Sequence, residues 1–431
     1  MKRIAQEFYL LPILGYTLLF VAIYAACYWL GWIDVLPSAQ RLSKWDGAFY
    51  DSIRTSGYIY EAGKACNSGF FPLFPYFWKI TALGPVGISI LNGIIYMVSL
   101  AYLARLLKPG VALLGLFMAF PFMFFMFTPL SESLFFLFGV IIIYGLVRHD
   151  NRLIFLGVLL ASLTRASFLF FVPAFIGMSL MMQPKKDALS GRFWLGQFTW
   201  FLLPVAIAVA AIGTVQYIQV DRFFAYYEIQ STAWGRSFGL PVFPLGRNSE
   251  PWVMRMNWLN FWIGMFVSVL GLKYLIQWLF KDAIPKNLER HELFSLIFLV
   301  MSFLSIVFFN PEWYWTKWEY NGTYLAGINR YMEANPFFLV FLTFLFKHRP
   351  KKAWYLLILF LATHLVWFLV FPHYFGHIQR FLNISVVTLI LLGFWLFHYF
   401  RWKPLAYILI PGGFLLQSLM LYYFMTGVQV D

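Results

Sequence analysis

The chain has 431 residues, of which 61% are hydrophobic, 22% aromatic and only 12% charged, too apolar for a soluble globule of several domains. Its formal charge of +14 is divided into short basic clusters between apolar tracts, not gathered into the continuous patch that nucleic acid requires, so nucleic acid is excluded as the partner. Cys27 falls in the first apolar tract and Cys66 in a polar loop, which predicts no structural disulfide.

Met1–Arg3 followed by the apolar run from Tyr9 to Trp32 looks at first like a signal peptide. The run is too long and no clear cleavage site follows, so it reads as the first membrane span. A hydrocarbon core of about 30 Å takes roughly 20 apolar residues per helix. That ruler predicts spans near Tyr9 to Trp32, Pro85 to Leu107, Val111 to Phe127 and Leu134 to Val147. Leu153 to Met182 is long enough for two short helices, with the break at Thr164 and Arg165, because arginine at membrane depth is costly unless it faces a polar cavity or the chain turns there. Further spans are expected near Trp194 to Tyr217, Leu259 to Phe280, Leu293 to Phe309, Pro336 to Phe346, Ala353 to Phe371, Phe381 to Phe400 and Leu405 to Phe424. The expectation is therefore an all-α polytopic transmembrane protein of about thirteen spans, a single unit over residues 1–431 without repeats or soluble domains.

More than half of the 32 lysines and arginines fall in short connections on one side, which places the amino terminus in the cytoplasm by the positive-inside rule. The long polar loops Ile33 to Leu83, Gln219 to Trp258 and Asn310 to Met332 then face the extracytoplasmic side, helical or irregular in form, and chemistry is expected there. The loop 33–83 is predicted to be the main catalytic loop, through its stretch RLSKWDGAFYDSIRTSGYIYEAGKACNSGFFPLFPYFWK from Arg41 to Lys79. Its closing run, Phe70 to Pro75, is predicted to be too broken for a helix and to lie at a headgroup boundary.

The same side gathers Asp46 and Asp51, Glu132 between Ser131 and Ser133, Arg165, Arg236, and Arg330 with Tyr331. Arginine pairs with phosphate oxygens and a carboxylate can take the proton of an attacking hydroxyl, so this set suits transfer from a phosphate-linked donor. Most loop charges are merely solvated, and Asp51, Glu61 and Arg54 are read that way. Asp46, in a Trp-Asp pair just after Lys44, is read as functional. Glu132 opens an apolar segment after Pro129, where it serves equally well as a helix cap or as an active-site acid. Most aromatic residues are expected at lipid-facing or interfacial positions, except Trp45, Trp234 and Tyr331, each beside a polar candidate and suited to wall a sugar cavity. His373 and His377 lie four apart, but Gly376 weakens the helix and no third ligand is near, so no metal site is expected. Arg380 in the same loop is the better phosphate contact, and Asn321-Gly322-Thr323 has the spacing of a glycosylation acceptor.

These residues resemble the PIG-V-like family, which contains the second mannosyltransferase of glycosylphosphatidylinositol anchor synthesis and its bacterial relatives. The likeness rests on Lys44-Trp45-Asp46 with Tyr50, Gly57-Tyr58, the run Phe70 to Pro75, Ser131-Glu132-Ser133-Leu134, Leu163-Thr164-Arg165, Gln230 with Trp234-Gly235-Arg236, and Arg330-Tyr331 before Pro336. The resemblance implies a multispanning glycosyltransferase of the GT-C class in a bacterial inner membrane or the endoplasmic reticulum. It implies a polyprenyl-phosphate sugar as donor and a lipid- or glycan-linked acceptor, with no cofactor. Asp46 maps to the catalytic base and Glu132 to a second acid, with Arg165, Arg236, Arg330 and Arg380 toward the donor phosphate and Trp45, Tyr50, Gln230, Trp234 and Tyr331 toward substrate. The rival from another class is a transporter or flippase of a lipid-linked sugar, which would show related halves and interrupted midplane helices. An acyl- or phosphotransferase would instead need a nucleophile or metal cluster.

Overall fold

Proline, glycine and buried charge cut the apolar tracts into pieces of unequal length, and those cuts decide where the polar side chains meet. The computed structural model describes residues 9–183, 190–241, 251–281, 288–309, 325, 327–347, 378–400, 403–428 and 430, and among these the ordered elements are all helical. In order the principal ones are α1 (Leu10–Trp29), α2 (Asp46–Ser56), α3 (Leu73–Thr81), α4 (Pro85–Leu107), α5 (Val111–Met118), a 3₁₀ stretch (Pro121–Phe127) and α6 (Glu132–Arg148). Then follow α7 (Asn151–Thr164), α8 (Phe168–Met181), α9 (Leu203–Val220), α10 (Ala225–Thr232), α11 (Pro251–Lys281) and α12 (Arg290–Phe308). The chain closes with α13 (Ile328–Met332), α14 (Pro336–Lys347), α15 (Ile378–Phe400) and α16 (Lys403–Thr426).

Among the described residues, 6 helices are long and apolar enough to cross a membrane: Leu10–Trp29, Pro85–Leu107, Phe193–Val220, Trp252–Phe280, Arg290–Phe308 and Pro404–Thr426. The 3₁₀ stretch and α6 would make a 7th if counted together, although they meet at a bend of 99°. Several tracts expected as full spans are shorter helices: α5 has 8 residues, α6 has 17 and α14 has 12. The tract Ala353 to Phe371, His373, His377 and Asn321-Gly322-Thr323 lie outside the described residues.

The break expected at Thr164 and Arg165 is present. Helix α7 ends at Thr164, Arg165 is extended at φ −151° and ψ 162°, and α8 begins at Phe168. Asp150 accepts hydrogen bonds from the backbone N–H of Arg152 (2.9 Å) and Leu153 (3.3 Å), so α7 is capped and turns tightly back along α6. The run Phe70 to Pro75 departs from its expectation. Helix α3 begins at Leu73 with Pro75 in its first turn, where the missing N–H is no loss. Phe71, Phe74 and Trp78 are buried in the interior.

The aromatic residues also differ from expectation, because many form the interior. Phe171, Phe294, Phe298 and Phe337 interlock between α8, α12 and α14, with Phe298 and Phe337 centroids 4.3 Å apart. In a membrane no hydrophobic force drives one helix onto another, so this close ring packing has to supply cohesion. Aromatic pairs add about 0.5–1.5 kcal/mol beyond burial. At the far end of α14, Lys347 donates to Glu289 and Glu292 at 3.2 Å each, and those two glutamates form the capping box of α12.

Phe298→Ala is expected to cost about 3–5 kcal/mol through the cavity it leaves. The melting temperature in detergent should fall clearly, whereas Phe400→Ala, at a ring 58% exposed, should stay close to the parent protein.

Candidate active site

Four charged side chains, drawn from positions up to 284 residues apart, converge at one end of α6. The first is set by a strained turn. Trp45 takes φ 52°, a left-handed conformation that a bulky residue adopts only at a cost of about 1–3 kcal/mol. That turn starts α2 and sets Asp46 in its first helical turn, where the helix dipole favours a carboxylate. Gly47 makes the approach possible: a Cβ there would sit 3.3 Å from the Leu42 carbonyl and 3.6 Å from Pro129, in the turn that leads to Glu132. Across the same contact, the Tyr50 hydroxyl donates to Ser131 Oγ at 3.0 Å.

Glu132 has no exposed surface and does not line the cavity. Its Oε1 accepts from Arg165 Nη1 at 2.9 Å and from Arg330 Nε at 2.6 Å, and Arg330 Nη2 lies in ion-pair contact with it at 2.5 Å. Arg330 also donates from Nη1 to Asp46 Oδ2 at 2.5 Å. The result is a chain of alternating charge, Arg165–Glu132–Arg330–Asp46, whose two arginines are each 7% exposed and whose Asp46 is 27% exposed. The buried end is the anchor and Asp46 is the end that opens outward. Glu132 stands in the first turn of α6, where the helix dipole favours an acid, as expected of a residue that opens this segment. Its Oε1 is held by the two arginines, while its Oε2 is buried without a hydrogen-bond partner among the described residues.

Asp46 opens onto a cavity of about 420 Å³, within the range that holds a small ligand. Every sequence-predicted site residue except Glu132 and Arg380 lines it: Trp45, Asp46, Tyr50, Arg165, Gln230, Trp234, Arg236, Arg330 and Tyr331. Arg380 stands in the first turn of α15, and its side chain lies outside the described residues. Tyr50 reaches the cavity with its ring only, since its hydroxyl is committed to Ser131. Burial, then the neighbouring Asp46 and Glu132, push its phenol well above the usual value, so it stays protonated.

Other groups in the cavity are left unsatisfied. Trp45 Nε1, Gln230 Oε1 and Arg236 Nε are all buried without a hydrogen-bond partner among the described residues. All three belong to residues that line the cavity, so a polar ligand that shifts these side chains on binding could satisfy a donor, an acceptor and a cationic donor. Arg236 makes no ion pair among the described residues, so the cavity and its anchor hold three guanidinium groups against two carboxylates. Tyr331 lies against Arg165, whose Cζ is 4.8 Å from the ring centroid. Burial pushes its phenol up, but Arg165, Arg236 and Arg330 outweigh that and bring it below its usual value. The aromatic wall is set by Gly69. A Cβ there would collide with the Trp234 ring at 2.0 Å, and Trp234 in turn meets Phe70 edge-on at 5.6 Å.

The loop under this wall is fixed by amide side chains that sequence reasoning passed over. Asn67 donates to the Gly57 carbonyl (2.9 Å) and Ser52 Oγ (3.0 Å) and accepts from Ile59 N–H (2.6 Å). Gln216 of α9, fully buried in an apolar helix, donates to the Ser68 carbonyl at 2.8 Å and accepts from Tyr226 N–H at 3.2 Å. A glutamine inside an apolar helix was the available signal. The charges read as solvated form local pairs, Arg54 donating to Asp51 at 2.8 Å and Lys64 to Glu61 at 2.8 Å. Among the described residues no group of three or more His, Cys, Asp or Glu could hold a metal ion.

Glu132→Gln would remove the only negative charge between two buried guanidinium groups. Breaking a buried ion pair from one side costs about 3–5 kcal/mol. The variant should therefore lose melting temperature at least as far as Phe298→Ala, and Asp51→Asn, which touches only a half-buried local pair, should lose clearly less. Searches of protein-family models, curated proteins and solved structures return no match to this chain.

Proposed function

We propose that this chain is an inverting glycosyltransferase of the GT-C class, similar to the PIG-V-like family, that moves a hexose, mannose by that likeness, from a polyprenyl-phosphate donor to a lipid- or glycan-linked acceptor. In this reading the bundle passes the membrane about thirteen times, with its shorter helices broken where they line the site, and the cavity opens on the extracytoplasmic face. The observation that carries the proposal is one cavity holding an accessible aspartate, an arginine without a counter-ion among the described residues and a polar, aromatic wall.

Each part has a task in this reaction. Asp46 uses Oδ2 to hold Arg330, while Oδ1 accepts no hydrogen bond among the described residues and is available to an incoming hydroxyl. As that hydroxyl oxygen attacks the anomeric carbon, its proton passes to Asp46, the bond from the anomeric carbon to the phosphate oxygen breaks, and the lipid phosphate leaves with the electron pair. One carboxylate acting as base gives a single displacement and inversion at the anomeric carbon. Arg236, with an unpartnered Nε and no carboxylate, is the group best suited to the departing phosphate, with Arg165 and Arg330 adding positive potential from behind. Glu132 is not a second catalytic acid in this scheme. It holds the two arginines at fixed positions and so keeps Asp46 aimed.

Trp45 Nε1 and Gln230 Oε1 are a donor and an acceptor placed to read sugar hydroxyls. Their pairing is worth most as discrimination, because a buried polar site rejects an analogue that leaves it unpaired.

With purified protein and a lipid-phosphate mannose, Asp46→Asn is expected to lose about 10²–10⁴-fold in kcat with little change in donor binding. Arg236→Gln should mainly weaken donor binding and raise KM. Turnover by Asp46→Asn near that of the parent protein would remove Asp46 from the role of base.

A further inference from the structure

A second polar cluster lies directly behind Arg330, and the reaction scheme does not use it. Its centre is Glu333, in the short connection between α13 and α14, outside every helix long enough to span, and without exposed surface. Its Oε1 accepts from Asn260 Nδ2 of α11 at 2.6 Å, and its Oε2 accepts from the backbone N–H of Phe122 at 3.1 Å. Phe122 belongs to the 3₁₀ stretch that leads to Glu132, and Phe125 of that stretch lies under the Arg330 guanidinium at 5.0 Å. Glu333 is thus bonded at once to α11 and to the segment that carries Glu132, while Arg330 stands three residues before it.

The groups facing Glu333 are uncharged. They are Asn260 from α11, the Phe122 N–H, and, through Asn260, Asn329 of α13 with its partner Asn257 and the Val430 carbonyl. Arg330, three residues before it, is turned toward Glu132 and Asp46, and no ion pair joins a cation to Glu333 among the described residues. A buried carboxylate with no facing cation is favoured in its neutral form. The asparagines can accommodate the extra proton. Asn260 Oδ1 and Asn257 Nδ2 are both buried without partners among the described residues. A half-turn of the Asn260 amide brings Oδ1 to where it accepts the carboxylic O–H of Glu333. Matching half-turns at Asn329 and Asn257 keep the three amides bonded to one another in the opposite sense, at the loss of the longer bonds to the Val430 and Met256 carbonyls, 3.3 Å each.

We propose that Glu333 is a positioning residue of the cavity: as a buried neutral acid it latches the turn carrying Arg330 to the 3₁₀ stretch leading to Glu132, and its ionisation loosens that latch. Burial raises its carboxyl from the ordinary 4.5 to about 8, against the opposing hydrogen bonds from Asn260 and Phe122. A carboxyl raised in the folded state contributes stability that is full below its ordinary pKa and is lost as pH rises through the folded value. The stability is therefore lost progressively between about pH 4.5 and about 8, while the carboxyl itself is still protonated at neutral pH and ionises on the alkaline side.

The test has two arms, of which only the second rests on the function proposed above. In the first, infrared titration of the full chain in detergent should show a protonated carboxylic C=O band at pH 6. The band should disappear as pH rises through about 8 and should be missing from Glu333→Gln. Coupling between two sites is reciprocal, so Asp46→Asn, which alters the far partner of Arg330, should move the midpoint by roughly half a pH unit or more. Absence of the band at pH 6, or the same midpoint in Asp46→Asn, overturns the proposal. In the second arm, kcat of the parent protein with a lipid-phosphate sugar should fall about tenfold from pH 7 to 9 as the acid ionises, and Glu333→Gln should flatten that fall. An equal fall in both proteins overturns the proposal. Lack of turnover in both counts against glycosyl transfer alone, and the infrared midpoint then decides the latch.

Discussion

The structure depends on one carboxylate oxygen. Glu132 Oε1 takes one hydrogen bond from each of two arginines, with a second nitrogen of Arg330 in ion-pair contact at 2.5 Å, in a place without solvent, and the two arginines come from segments far apart in sequence. Desolvating any one of these charges alone costs several kcal/mol, so the pairings form together or not at all. That requirement fixes where the α7–α8 break must sit and where α13 must run. It also makes Asp46, the least buried member, the point at which fixed charge meets a cavity.

A site of this kind restricts the backbone around it. Irregular backbone at membrane depth survives only where it is buried in protein or lines a polar cavity. The 3₁₀ stretch Pro121–Phe127, the 99° bend into α6 and the break at Arg165 all border the charge cluster or its support. Each leaves backbone groups outside regular helix bonding, and side chains take up part of that load, as when Glu333 accepts the Phe122 N–H. The short helices are therefore tied to the site by their hydrogen bonding, and their lengths follow from where the charges have to meet.

What the sequence made legible follows the same logic. A charge in an apolar tract has few places to go, so Arg165 could be placed at a break between helices from its position alone, and Asp46, Arg236 and Arg330 could be grouped by chemistry. The role of Glu132 could not be read, because a helix cap and a buried anchor look alike until a partner 198 residues away is known. The 3₁₀ stretch was hidden for a different reason: Pro121–Phe127 is as apolar as a span, and composition does not distinguish a tight helix from an ordinary one. Phe70 to Pro75 misled because proline was weighed as a breaker without allowing for its place in the first turn of α3. The network behind Arg330 did leave a trace. Asn257 and Asn260 lie three apart on one face of an apolar helix, and Asn329 and Glu333 lie four apart around Arg330.

The same energetics bear on the proposal of an enzyme and on its rival, a flippase. Alternating access requires the elements around a central site to part on one side and then on the other. Here the elements that would have to part are joined through Glu132 to Arg165 and Arg330, and through Glu333 to Asn260 and Phe122. Opening between them would strip buried charges of their partners, at a cost of about 3–5 kcal/mol for each pair broken. Transferring a glycosyl group needs no such opening, only a rigid frame that holds a base and a cation at fixed separation while the substrates come and go through the cavity mouth. Rigidity of this kind hinders a carrier and serves an enzyme, since preorganised charge need not rearrange as the transition state forms.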